Sequence, residues 1–448
     1  MKKSIFHSFF SVIVYLAALT GITLPGFSWA QATVSRSTNE QIPVSYFGLH
    51  IHRIVQTQPW YPKGDRITPW PSIKFGSWRL WDAYVAWPNL EPERGKWNFQ
   101  TLDKYVGLAE QAGVDLVLPL GLSPTWASVR PGEPSGYGPG TAAEPRDIEN
   151  WRNYVRTVAQ RYKGRIRTYD LWNEVNVKGF YSGSQEKLVE LARVAYQTLK
   201  EVDPNIIFIS PSVVGAGNHR WLDEYLAKGG AKYLDVVGYH FYVPKAAPEA
   251  MLPLIQQVQS VMRKHGLEEK PLWNTEIGWW IDNKTKLTRQ YGAAPDWRKL
   301  DDGMAAAYVA RTMVMSWPAG VSRVFWFAWD GIDMGFIELG SLELKPVAVA
   351  LDTMARSLTG GLLKQCGRAE TIWTCNLTRA DGKSVWIVWA EDDVSREWLI
   401  PADWRIKRVQ RLDASSFDLN GDSLQIGMAP VFLSGEGRAD ITRSQEIP

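Results

Sequence analysis

A chain of 448 residues can hold one large barrel-sized domain and a smaller companion, since single cores stop growing beyond roughly 250–300 residues. Lys and Arg number 50 against 47 Asp and Glu, a formal charge of +3 with no basic tract or acidic tail, which argues against nucleic acid as a partner. The 23 Trp and 17 Tyr are more than a core needs, and flat aromatic faces pack against sugar rings, so carbohydrate is the first ligand class to consider, although large core aromatics account for most of them.

Residues 1–30 differ in texture from the rest. Lys2 and Lys3 precede an apolar run from Ile5 to Leu24, and "GFSWA" follows with Ser28 and Ala30 at the small positions a signal peptidase reads. The segment is expected to be a secretory signal cleaved before Gln31, or alternatively a retained inner-membrane anchor, since it approaches the ~20 residues that span a bilayer. Either way the body of the protein is exported, to the periplasm or beyond.

From residue 40 to 360 short β-type runs alternate with amphipathic helical patterns. The runs begin at Tyr46 ("YFGLHIHR"), Ser77 ("SWRLWDAYV"), Val114 ("VDLVLPLG"), Arg167 ("RTYDLWNEVN"), Ile206 ("IIFISPSV"), Asp235 ("DVVGYHFYV"), Pro271 ("PLWNTEIGW") and Val321 ("VSRVFWFAWD"). Helical spacing of apolar residues marks Leu102–Gly113, Ile148–Tyr162, Gln185–Asp203 and a segment starting at Lys345. Eight such units in this length predict a (β/α)8 barrel, whose active site gathers at the C-terminal ends of the strands. A doubly wound open sheet is the alternative, but no G-x-G-x-x-G follows the first run. Long Pro-, Gly- and aromatic-rich connections follow strands one, three and seven, where loops shape a substrate groove.

After Gly360 the pattern becomes short alternating runs with an "ADGK" hairpin turn, read as a small antiparallel β-sandwich over residues 361–448 that includes a polar tail. Cys366 and Cys375 are the two cysteines, and their separation suits facing positions on a hairpin, where an exported chain can bond them. Two thiols without partner His residues are too few for zinc.

The chemistry-bearing residues lie at strand ends. Glu174 closes the fourth run in "LWNEVN" and Glu276 the seventh in "NTEIGW". Alone, Glu174 reads as a solvated strand end; opposed to Glu276 across a closed barrel, it reads as half of a catalytic pair. These paired motifs resemble the clan of retaining barrel glycosidases, and most closely glycoside hydrolase family 39 and its relatives in bacterial exopolysaccharide operons. The resemblance implies Glu174 as general acid/base, Glu276 as nucleophile and Asn173 as donor to the substrate 2-hydroxyl, with no cofactor. For Asn173 and Glu174 to serve the same sugar, the strand must break its alternation between them.

The same resemblance offers His240 and Tyr242, in "YHFY", as contacts to substrate and to Glu276. It also offers Trp329, in "FWFAWD", as an aromatic floor under the sugar, with Trp326 in the core. Arg79 can underlie the nucleophile, or pair with Asp82 or Asp170. His50 and His52 share a face of strand one; without a third ligand no metal is expected, and His52 becomes a substrate contact, with core packing as the alternative for the pair.

The expected function is an exported retaining glycosidase, monomeric and endo-acting on an exopolysaccharide. Alternatives are an exo-acting xylosidase- or iduronidase-like enzyme, a cellulase- or mannanase-like relative, and a non-catalytic glycan-binding component of a polysaccharide assembly machine.

Overall fold

The computed structural model describes residues 33–36, 39–55, 67–281, 283–284 and 296–438. The expectations for the N-terminal 30 residues, for much of the loops after strands one and seven, and for the polar tail lie outside the described residues. Among the described residues no helix is long and apolar enough to cross a membrane.

The eight β-type runs form the staves of one parallel ring. Strand one (Phe47–Leu49) lies between strand two (Ser77–Arg79) and strand eight (Val321–Trp326). Strands three (Asp115–Leu120) and four (Thr168–Leu171) continue from strand two, while seven (Leu272–Ile277) and six (Val237–His240) continue from strand eight. Strand five closes the ring in two pieces: Ile207–Ile209 pairs with strand four and Val213–Val214 with strand six. Pro211 sits in the break, where a residue lacking an N–H cannot extend a ladder. The interior runs are buried on both faces and therefore read as continuous apolar stretches rather than as alternation.

The helices on the outside carry the stop and start signals expected of them. Gln100–Ala112 ends at Gly113, which takes the left-handed conformation that glycine accepts without strain. Asp147 caps Ile148–Arg161 by accepting from the Glu149 amide, and Ser184 caps Gln185–Val202 by accepting from Lys187. Helix Asp302–Ser316 carries no amphipathic signal because Ala305 through Ser316 are all buried. It packs on strand eight and on helix Pro346–Leu358, and its Arg311 donates to the Glu391 carbonyl of the C-terminal domain.

The C-terminal domain, expected as a β-sandwich, is a seven-stranded antiparallel sheet with a separate two-stranded ribbon. One face of the sheet (Leu377, Ile387, Trp389, Phe432) joins the barrel core, and the other (Val388, Val409, Leu433) packs under Ile426 of the ribbon. Its edge strand is Thr33–Ser35, from the other end of the chain, paired with Leu362–Ala369. Three residues preceding the barrel thus belong to a sheet that the sequence alone assigns to residues after 360. Cys366 and Cys375 face each other on adjacent strands and are disulfide-bonded.

Candidate active site

The backbone breaks where strand four delivers its glutamate. The strand ends at Leu171; Trp172 (φ 58°) and Glu174 (φ 43°) then take left-handed conformations on either side of Asn173. Each such non-glycine residue costs about 1–2 kcal/mol. Burial of the Trp172 ring, whose Nε1 donates to the Phe180 carbonyl at 2.7 Å, offsets that cost. The consequence is that Asn173 and Glu174 no longer alternate, and both reach the barrel mouth.

Three elements converge on the glutamates. Glu276, in strand seven, accepts from Arg79 Nη1 at 3.2 Å and from Tyr242 Oη at 3.1 Å, through different oxygens. Glu174 is 3.0 Å from His240 Nδ1, which in turn lies 4.0 Å from Glu276. One oxygen of each glutamate and a His240 ring nitrogen all fall within 4.8 Å of one another. That spacing could also serve a cation, but the Arg79 guanidinium against Glu276 opposes positive charge there. Arg79 is fully buried and makes two of the three pairings the sequence left open: it donates twice to Asp170 (2.9 and 2.7 Å) as well as to Glu276. It also donates to Asn173 Oδ1 at 2.8 Å, which turns the amide NH2 of Asn173 the other way.

Burial dominates the electrostatics. It pushes both Glu174 and Glu276 up to about 7, with Arg79 opposing in each case. The two carboxyls titrate as a pair, and we assign the ionised state to Glu276, because two donors address it while Glu174 has only the imidazole. Burial drives His240 down to about 3, so its ring is neutral, and Asp170 up to about 6 against the pull of Arg79.

Trp329 is 1 % exposed and belongs to the core. Phe327 is half-buried, with its ring 5.1 Å from His50 and 4.9 Å from His52. Alternation along "FWFAWD" ends with the strand at Trp326. His52 is buried beside Asp330, which accepts from the His52 and Arg53 amides. The His50 ring contacts the Thr275 carbonyl at 3.2 Å.

Two site residues were missed. Asp82, just beyond strand two at φ 57°, accepts from Tyr137 Oη at 2.6 Å. Its charge raises Glu174, Glu276 and His52 alike. Tyr137 comes from the Gly-rich "SGYGPG" of the loop after strand three and packs on Trp81 at 5.2 Å. The available signals were an acid at a strand end and a lone aromatic among glycines. On the other side of the glutamates, over strands five to seven, opens a cavity of about 640 Å³ with apolar walls. Val214, Gly215 and Ala216, the segment Tyr242–Ala246, Trp297 and Met334 line it together with both glutamates.

A family model described as Glycosyl hydrolases family 39 matches residues 76–319, more than half of the chain. Endo-1,4-beta-xylanase C of Paenibacillus barcinonensis is 22% identical over 205 residues, covering 40% of this chain and only 18% of that protein's length. Among solved structures, a family 39 glycoside hydrolase from Bacteroides cellulosilyticus WH2 superposes with a TM-score of 0.68 at 20% identity, covering 90% of this chain and 83% of that one. A GH39 beta-xylosidase from Caulobacter crescentus gives 0.61 at 16% identity, covering 90% and 99%. These likenesses agree with the barrel and its companion sheet, and the family model spans the strands that deliver Arg79, Glu174, His240 and Glu276. The chain belongs to the glycosyl hydrolases of family 39.

Proposed function

We propose that this glycosidase is a retaining enzyme, exported and monomeric, that cuts within the chains of a bacterial exopolysaccharide by double displacement. The observation that carries the reading is the pair of glutamate oxygens within 4.8 Å, with Arg79 and Tyr242 both donating to Glu276. Retaining enzymes hold their carboxyls about 5–5.5 Å apart, whereas inverting enzymes leave about 6.5–9.5 Å for a water. One oxygen of each glutamate within 4.8 Å supports the closer, retaining arrangement.

The steps follow from charge. Glu276 attacks the anomeric carbon while Glu174 protonates the departing oxygen, so the glycosidic bond breaks as the ester forms. Esterified Glu276 no longer bears charge, Glu174 becomes the stronger acid and stays ionised, and it takes a proton from the water that displaces Glu276. Glu276 leaves as carboxylate, back under Arg79. Asn173, its oxygen held by Arg79, presents its NH2 to the 2-hydroxyl of the sugar under attack. The polar half of the site, with Asp82, Tyr137 and Asn173, suits the sugar whose hydroxyls must be oriented. The apolar cavity with Trp297 suits the unit that departs, and its openness supports endo action.

The test is digestion of the exopolysaccharide made by the source organism, with product size followed by chromatography and the first-formed anomer by proton NMR. Oligosaccharides with retained configuration are expected. Inverted products would overturn the mechanism, and release of monosaccharide alone would turn the reading to exo action. Glu174→Gln and Glu276→Gln are each expected to abolish turnover with the fold intact, and near-normal activity in either would sink the assignment.

A further inference from the structure

The wall of the cavity that faces away from the polar half is built from two loops, and both are tied to one short stretch of the C-terminal domain. The loop after strand six lines the cavity from Tyr242 to Ala246 and runs directly into Glu249. The Glu249 carboxylate is buried, accepts from Arg311 Nε at 2.8 Å, and accepts from Trp389 Nε1 of the C-terminal sheet at 2.9 Å. Arg311 also reaches the Glu391 carbonyl at 3.2 Å. The second loop carries Trp297, whose ring packs on Tyr242 at 5.5 Å. Its neighbour Arg298 donates to Asp393 at 3.2 Å, and the Arg298 amide donates to the Pro244 carbonyl at 2.9 Å. The alternate residues Trp389, Glu391 and Asp393 therefore grip the strand-six loop directly, the helix that braces it, and the Trp297 loop.

Packing a domain against a barrel needs only apolar area, which the shared core already supplies. A buried carboxylate is costly unless it is paired and hydrogen-bonded, so Glu249 is a poor choice for adhesion and a good one for fixing orientation. We propose that Trp389 and Asp393 are positioning residues of the glycosidase: through Glu249 and Arg298 they set the distance between the Tyr242–Ala246 segment and Trp297, and thereby the affinity for the sugar unit that leaves. The ligand class is a neutral glycan unit stacked on Trp297. This inference rests on the proposed reading of the cavity as the leaving-group side.

The experiment compares Trp389→Phe, which keeps the stack on Trp373 and loses the N–H, and Asp393→Ala with the wild type. Each is assayed on exopolysaccharide oligomers and on an aryl glycoside whose small leaving group stops short of Trp297. KM for the oligomers is expected to rise roughly tenfold in Trp389→Phe, the fold-change matching one hydrogen bond to a charged group, and less in Asp393→Ala because that pair is solvated. On the aryl glycoside KM is expected to stay within about twofold. Asp393→Glu should restore the Asp393→Ala loss. Thermal melting reports folding separately: a lowered Tm with KM unchanged on both substrates, or an equal KM change on both, would overturn the proposal. Should the wild type bind oligomers without cleaving them, the glycosidase reading fails, and the same variants are then read as dissociation constants by calorimetry. There an unchanged affinity overturns the positioning role and a weakened one supports it.

Discussion

Replacing Glu174 by Gln should make the protein more stable at neutral and alkaline pH while silencing it. The carboxyl ordinarily titrates at 4.5 and burial raises it to about 7. The folded protein therefore holds this proton more tightly than the unfolded chain. Below pH 4.5 both states carry it and no penalty arises; between 4.5 and 7 only the unfolded chain gives it up, so stability falls across that interval, and above 7, with the charge buried in the folded state, the loss is complete. The interval corresponds to about 3 kcal/mol for a group whose side chain is 14% exposed. Spread over an unfolding entropy of about 2 cal/mol/K per residue, that is ~3 °C in Tm for a chain of this size. Gln keeps the shape and can still bond His240, so the comparison isolates charge. Melting by calorimetry at pH 8 should show the gain, and melting at pH 4.5 should show none. A gain of equal size at both pH values, or none at pH 8, would refute the assignment of a strained, proton-holding acid.

Three further outcomes follow from the same geometry. The kcat/KM profile should be a narrow bell centred near 7, its acid limb from protonation of the Glu276 side of the pair and its alkaline limb from ionisation of the Glu174 side; a flat profile between about pH 5 and 9 would contradict it. Asp82→Asn removes a negative charge that raises both glutamates, so the alkaline limb should move to lower pH and KM should rise as a hydroxyl acceptor weakens; movement to higher pH would be the wrong sign. Trp329→Ala should cost about 3–5 kcal/mol of stability in denaturant titrations, while Phe327→Ala should raise KM at a smaller stability cost. The reverse pattern would make Trp329 the sugar-facing ring.

How far the sequence could be read depended on whether a signal was periodic or positional. Continuous apolar runs and their spacing sufficed for all eight barrel strands, and the two glutamates stood out because carboxylates at the ends of buried strands demand a reason. The necessary break in alternation between Asn173 and Glu174 was legible for the same reason, and it appears as the positive φ values at Trp172 and Glu174. Helix Asp302–Ser316 was illegible because burial on every side erases the polar face that a period needs. Thr33–Ser35 joins a sheet more than 300 residues away, a pairing that no local pattern encodes. Strand eight stops at Trp326, so alternation along it does not place Phe327 or Trp329. Asp82 and Tyr137 meet only because a long loop folds back over strand two, so neither residue announces the other.

The central claim is that Glu276 forms a covalent bond to the sugar while Glu174 manages the proton. It is tested most directly by incubating the protein with a 2-deoxy-2-fluoro glycoside activated at the anomeric carbon and matched to the sugar it cleaves, followed by peptide mass spectrometry. The fluorine slows both steps, and the activated leaving group lets the first outrun the second. A stoichiometric adduct is expected on the peptide containing Glu276, absent in Glu276→Gln and still formed in Glu174→Gln, where the activated leaving group needs no acid. Inactivation with the label on Glu174 or elsewhere, or hydrolysis of the substrate with no adduct on Glu276, would contradict it.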